Sequence, residues 1–224
     1  MKFNNIKIKS PDPERLLEFY RDQLDLLQEP IENGVKIKIG ASRLTIEKGI
    51  KNPDQRYHFA FNIHPALYGD AIQFLHEKKI PLILNNGQEE IDFPDWNAYS
   101  VYFRDPDGNI LEFIARFNLE DGPIPEEFNP ASIWNISEVG LPVANNEAFV
   151  RAVQEHTNAP VWKSYGPGFQ ALGDEEGLLI VSSIGRNWFP TTDPAVALSL
   201  TVEMDGKGTD FTYDDMQFTF LAAQ

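Results

Sequence analysis

Two side chains set in apolar strands carry the chemistry that this sequence could do. Glu112 stands in NILEFIA between Leu111 and Phe113, and His58 stands in YHFAFNI beside Phe59 and Phe61. A carboxylate among aliphatic residues is costly when buried without a partner. Glu112 therefore faces water, pairs with a Lys or Arg, or serves a site. Side chains alternate along a strand, so Leu111 and Phe113 take one face while Ile110, Glu112 and Ile114 take the other. By the same rule His58, Ala60 and Asn62 lie opposite Phe59, Phe61 and Ile63. One imidazole with one or two carboxylates suits Zn²⁺, Mn²⁺, Fe²⁺, Co²⁺ or Ni²⁺, and a carboxylate near such a centre can move a proton.

A second group of side chains has binding rather than catalytic chemistry. Alternation in FNNIKIKS, GVKIKIG and SRLTIEKG puts Asn5, Lys7, Lys9, Lys36 and Lys38 on one polar face, together with Arg43, Thr45 and Glu47. These cations gather in a chain of formal charge −15. The face is either a solvated sheet surface, where lysines also discourage edge aggregation, or a cationic lining that selects an anionic small molecule. Trp96 and Tyr99, in IDFPDWNAYSVYF, are aromatic residues placed to rim a binding site or simply to pack.

Composition narrows the function classes. The acidic balance (pI near 4.6) and the lack of any Lys/Arg run argue against nucleic acid and anionic membrane surfaces as partners. Without cysteine there are no disulfides, zinc–thiolate sites or thiol nucleophiles. No segment has the length and apolarity of a membrane span, and the first residues lack an apolar signal core. A cytoplasmic protein with a small-molecule ligand is the expectation.

The elements that must position these residues recur in one order. FNNIKIKS reads as a strand, PDPERLLEFYRDQLDLL as a helix with Asp12 as N-cap and Pro13 at its first position, and GVKIKIG and SRLTIEKG as strands. The order repeats through YHFAFNI, a helix in HPALYGDAIQFLHEKK, and the strands IPLILN, AYSVYFRD and NILEFIA. It returns in ISEVGLPVAN, a helix in NEAFVRAVQEHT, and the strands PVWKSY, GFQALGD and GLLIVSS. A fourth unit, AVALSLTVEM and DMQFTFLA, lacks a helix. The predicted organisation is α+β: units 1–51 and 56–117 form one domain, 118–131 is a linker rich in Pro and acids, and 132–224 is a second, degenerate domain.

The repeated βαβββ order, with FRDPDGNILEF closing the second unit, resembles the vicinal oxygen chelate superfamily of glyoxalases, bleomycin- and fosfomycin-resistance proteins and extradiol dioxygenases. The Asp105–Gly108 turn before the Leu-Glu-Phe strand is the most specific part, and the match is stronger over 3–117 than beyond. The resemblance implies paired units forming cup-shaped mixed sheets with helices outside. It also implies a divalent metal held by one residue from the first and one from the last strand of each unit in a pair.

Carried over to this chain, the first-strand positions are Asn5 and His58. The last-strand positions are Glu112 and either Arg43 or Glu47. The metal set is then His58, Glu112 and Glu47, with Glu112 or Glu47 as the proton-moving base. Asn5, Lys7, Lys36, Lys38, Arg43, Asn62, Trp96 and Tyr99 would line the ligand's place. A lyase, isomerase or transferase is implied, with metal-free sequestration or an empty scaffold as alternatives. An extradiol dioxygenase, which needs two histidines, fits less well. The later units offer Glu138 where the second offers His58, but no acid in GLLIVSS, so the C-terminal half is expected to be structural. Four units could exist as a monomer or as a homodimer.

Overall fold

The computed structural model describes residues 1–119, 126–205 and 207–221; the expected linker 118–131 therefore falls partly outside the described residues. The first unit comprises β1 (Lys2–Ser10), α1 (Pro13–Glu18), β2 (Gln28–Ile31), β3 (Gly34–Ile39) and β4 (Ser42–Lys48). The second comprises β5 (His58–Ile63), α2 (Tyr68–Glu77), β6 (Leu82–Ile83), β7 (Ile91–Phe93), β8 (Ala98–Arg104) and β9 (Ile110–Arg116). The third comprises β10 (Ile133–Val143), α3 (Asn146–Thr157), β11 (Val161–Ser164), β12 (Phe169–Asp174) and β13 (Gly177–Ser183). The last holds β14 (Leu200–Asp205), β15 (Phe211–Tyr213) and β16 (Met216–Leu221). The architecture is α+β with mixed sheets, as the repeat predicts.

Local chemistry starts and stops these elements. Asp12 caps α1 by accepting from the Arg15 N–H (3.2 Å), with Pro13 next to it. The helix is shorter than its sequence pattern suggests, because from Phe19 to Gln23 it widens into a π-helical turn. That turn leaves Tyr20 fully buried, with its hydroxyl donating to Asp105 Oδ2 (3.2 Å). Asp105 opens the turn before β9: its carbonyl accepts from the Gly108 N–H (2.9 Å) and its carboxylate accepts from the Asn109 N–H (3.0 Å). Gly108 has φ +76°, a conformation most residues with a Cβ avoid.

The strands form two sheets whose membership departs from the expected pairing. One sheet runs β15-β16-β14-β1-β4-β3-β2 and the other β11-β12-β13-β10-β5-β9-β8-β6, with β7 beside β8. The first unit thus pairs with the fourth through antiparallel β1 and β14, and the second with the third through antiparallel β5 and β10. The reason is that every first strand has the same alternating pattern. Its free edge accepts another first strand equally well whichever unit supplies it, so alternation does not choose between partners.

A single core joins the two sheets. Ile6, Ile8, Leu44 and Ile46 pack in it with Phe59, Phe61, Leu111 and Phe113, together with Leu16 of α1, Ala71 and Leu75 of α2 and Phe149 of α3. Ile110 and Ile114 belong instead to a second cluster on the opposite face of the nine-stranded sheet, with Ala60, Trp96, Tyr102, Ile180 and Trp188. The alternation read for NILEFIA is therefore the alternation found.

Candidate metal centre in an aromatic cavity

Three adjacent strands each contribute one polar side chain to the face away from the core. In the order β10-β5-β9, Ala60 of β5 lies opposite Glu138 on one side and Glu112 on the other. The methyl group of Ala60 leaves the space between the two acids open. His58 sits two residues back on β5, hence on the same face. Among the described residues, His58, Glu112 and Glu138 form the one group whose imidazole and carboxylate donor atoms all lie within 4.8 Å of one another. His58 Nε2 is 3.7 Å from Glu112 Oε2 and 3.8 Å from Glu138 Oε2, too far for hydrogen bonds.

Surrounding groups orient each donor. His58 Nδ1 lies 3.2 Å from the Ile110 carbonyl; donation there places the proton on Nδ1 and turns the Nε2 lone pair toward the acids. Ser100 Oγ–H donates to Glu112 Oε1 (2.5 Å). Glu138 Oε1 accepts from Arg116 Nη2, and Arg116 Nε–H donates to Asn62 Oδ1 (3.1 Å). Arg116 is fully buried, its guanidinium 5.5 Å from the Trp96 ring centre and 5.8 Å from that of Trp162.

The electrostatics follow from two carboxylates sharing a dry pocket. Burial raises the Glu112 pKa to about 7, assisted by the negative charge of Glu138 and opposed by His58, Ser100 and Tyr102. For His58, burial disfavours the imidazolium, but Glu138 and Glu112 outweigh it and the pKa is raised. The Tyr102 hydroxyl is pushed far up by burial and by the same two acids.

This donor set fits a divalent cation. Its two hard carboxylate oxygens and one imidazole lone pair are buried and convergent. Arg116 compensates Glu138 from one side only, and burial, with the charge of Glu138, drives Glu112 toward its neutral form. Donor atoms on a coordination sphere of about 2.1 Å lie roughly 3.0–3.4 Å apart, a little closer than His58 Nε2 is to either acid (3.7 and 3.8 Å).

The cluster forms the base of a cavity of about 320 Å³. Its walls include Phe93, Trp96, Tyr165, Phe169, Trp188 and Phe189, with Asp92, Asp95 and Arg186 as charged members. Trp188 lies 5.6 Å from His58, ring centre to ring centre. A Cβ on Gly140 would meet Trp188 Cη2 at 2.8 Å and His58 Cβ at 2.9 Å, so the glycine is what lets both rings share this corner.

No protein-family model and no curated protein matches the chain. Solved structures do. A candidate dioxygenase from Bacillus subtilis superposes with a TM-score of 0.64 at 16% identity, covering 92% of this chain and 70% of that one. A glyoxalase I mutant from Zea mays gives 0.57 at 14% identity, covering 90% and 74% respectively. The fold is that of the vicinal oxygen chelate proteins. At these identities the likeness concerns fold.

Within that fold, the expected site residues separate into two groups. His58, Glu112 and Trp96 meet in the cavity. Asn62 stands beside it, accepting from Arg116. Tyr99 packs outside against Tyr68 and Phe117 (5.7 and 5.8 Å between ring centres). Asn5, Lys7, Lys36, Lys38, Arg43 and Glu47 all belong to the seven-stranded sheet. There Lys7 is opposite Thr45, and the choice between Arg43 and Glu47 has a different outcome. Both are exposed, and the buried residue between them, Thr45, donates to Asn5 Oδ1 (2.8 Å). Asn5 in turn donates to Glu203 Oε2 (3.2 Å), which also pairs with Lys7.

The C-terminal half, expected to be structural, supplies Glu138, Ile180, Arg186 and Trp188 to the cavity. Ile180 pairs with Gly140 as Glu112 pairs with Ala60, so an apolar residue occupies the fourth ligand position. Glu138 carries the same signal as Glu112, an acid in an apolar strand (ISEVGLPV). It joins the site because the second unit pairs with the third rather than with the first.

Proposed function

We propose that this protein is a divalent-metal enzyme that moves a proton on a small oxygenated substrate, in the manner of a lyase or isomerase, in the cup between its second and third units. The convergence of His58, Glu112 and Glu138 at the base of an aromatic cavity carries this reading. Bound there, a divalent cation would supply Lewis acidity to a substrate oxygen. The chain supplies the rest. The aromatic walls bind an apolar body and exclude water. The Glu112 carboxylate, directed to the cavity beside that centre, is placed to take a proton from a carbon beside a carbonyl and return it at the neighbouring carbon. The Ser100 hydroxyl fixes Oε1 of that carboxylate, which leaves Oε2 toward His58 and the cavity. Arg116 Nη2 donates to Glu138 Oε1 and holds that carboxylate in place. With one imidazole in the cluster, the two-histidine, one-carboxylate triad of ring-cleaving oxygenases is not formed.

The test is metal content and affinity. Protein prepared without tag or chelator should bind about one equivalent of Mn²⁺, Zn²⁺, Co²⁺, Ni²⁺ or Fe²⁺ by mass spectrometry and calorimetry. His58→Ala and Glu138→Gln should each lose at least 10- to 100-fold in affinity, at least the scale seen when even groups supporting a ligand are removed. Failure of all five ions to bind, or unchanged binding in both variants, ends this reading in favour of metal-free ligand sequestration.

A further inference from the structure

The 34 acids of this chain outnumber its 19 Lys and Arg residues, so an arginine without an acid partner stands out. Arg15, Arg21, Arg56, Arg104, Arg116 and Arg151 each have a carboxylate within 4.0 Å. Arg43 and Arg186 have no such partner among the described residues; Arg43 is exposed on the other sheet, whereas Arg186 lines the cavity. The Arg186 guanidinium donates to the Asn187 carbonyl (3.4 Å) and lies 4.7 Å from the centre of the Phe169 ring. Two residues further on, Trp188 is 3% exposed and its indole Nε1–H has no hydrogen-bond partner among the described residues. Buried donors are rarely left unpaired without a reason.

These two donors share one rigid segment. Asn187 bridges Pro194 in antiparallel fashion, and the Trp188 N–H donates to the Asp193 carbonyl (2.9 Å). Residues 186 and 188 flank the bridged residue, so their side chains leave on the same side, and both line the cavity. The loop is fastened from outside: Asp193 pairs with Arg104 (2.8 Å), and Gln55 Nε2 donates to the Ala197 carbonyl (2.5 Å). Held in this way, the backbone that carries both donors needs little ordering when a ligand arrives.

We infer that the cavity takes a small molecule with an aromatic body and a carboxylate, and that Arg186 and the Trp188 indole N–H receive the carboxylate. This rests on the cavity being the active site proposed above, and it names the substrate class of that site. A guanidinium–carboxylate contact supplies charge and two parallel donors. The aromatic walls, with Trp96 and Phe169 among them, accept the ring. Asp92 and Asp95 also reach the cavity from the β7–β8 side, so an amine-bearing ligand is the direct competitor.

The experiment uses three probes of one shape: 3-phenylpropanoate, 3-phenylpropan-1-ol and 3-phenylpropylamine. Each is titrated into metal-stripped and into metal-loaded protein by calorimetry, alongside Arg186→Gln and Trp188→Phe. In the stripped protein the carboxylate should bind roughly 10-fold or more tightly than the alcohol or the amine, as for a hydrogen bond to a charged group. Arg186→Gln should erase that preference, so that the carboxylate binds no more tightly than the alcohol, and Trp188→Phe should reduce it. The inference is overturned if the amine binds best or if the preference survives Arg186→Gln. It is also overturned if the preference appears only with metal present, which would place the carboxylate on the ion and support the metal reading alone. Conversely, an Arg186-dependent preference in a protein that binds no metal would sustain this inference and sink the metal reading.

Discussion

Arg116 and Glu138 show how much one pair of residues decides at this site. Arg116 is fully buried against two indole rings, and it compensates the one acid of the cluster that has a direct cationic partner. Replacing it with Met would leave Glu138 as an uncompensated buried charge, at a cost of about 3–5 kcal/mol. For a chain of this size that corresponds to a fall in Tm of roughly 6–20 °C. Adding Glu138→Gln to the Arg116→Met background should recover much of the loss, since the stranded charge is then gone. A thermal melt of the single and double variants decides this; equal Tm values for the two would show that the lost stacking, not the charge, carries the effect.

Among the elements, the Asp105–Gly108 turn has a pH dependence of its own. Asp105 is buried, and burial raises its pKa from 3.8 to about 6 despite the Asn109 hydrogen bonds and the charge of Lys51. The folded state therefore favours the protonated acid. Its favourable contribution is complete below pH 3.8 and is lost as the pH rises through about 6, a change of about 3 kcal/mol. Asp105→Asn removes the titrating group, so urea denaturation between pH 4 and 7 should give the variant a flatter stability profile than the parent. Parallel profiles would refute this assignment. The turn itself was legible in FRDPDGNILEF because Asp, Pro and Gly each have a local reason to be there. The π-helical turn after α1 was not, because Phe19–Gln23 carries an ordinary helical pattern and the widening accompanies the burial of Tyr20 against Asp105.

At the scale of the whole molecule, the two halves of the chain are interleaved. β1 takes its antiparallel partner from the last unit and β5 takes its own from the third, so neither half contains a complete sheet. Residues 1–117 expressed alone should fail to form a stable monomer, and so should 132–224. Mixed or co-expressed, the two pieces should assemble into a one-to-one complex with native circular dichroism and metal affinity. Size-exclusion chromatography with far-UV spectra tests this, and a folded, monomeric 1–117 would count against the interleaving.

The sequence by itself determined the main strands and helices, the face their side chains take, and that His58 and Glu112 share the face away from the core. Those properties depend on neighbours within a few residues: alternation, caps and turn chemistry. Only the tertiary structure decided which units pair, and with that choice Glu138 joined the cluster while Asn5, Arg43 and Glu47 went to another sheet. The hydrogen-bonding edge of a first strand is built from backbone, alike in every unit. The choice of partner is settled by how the whole core closes, and no short stretch of residues contains it.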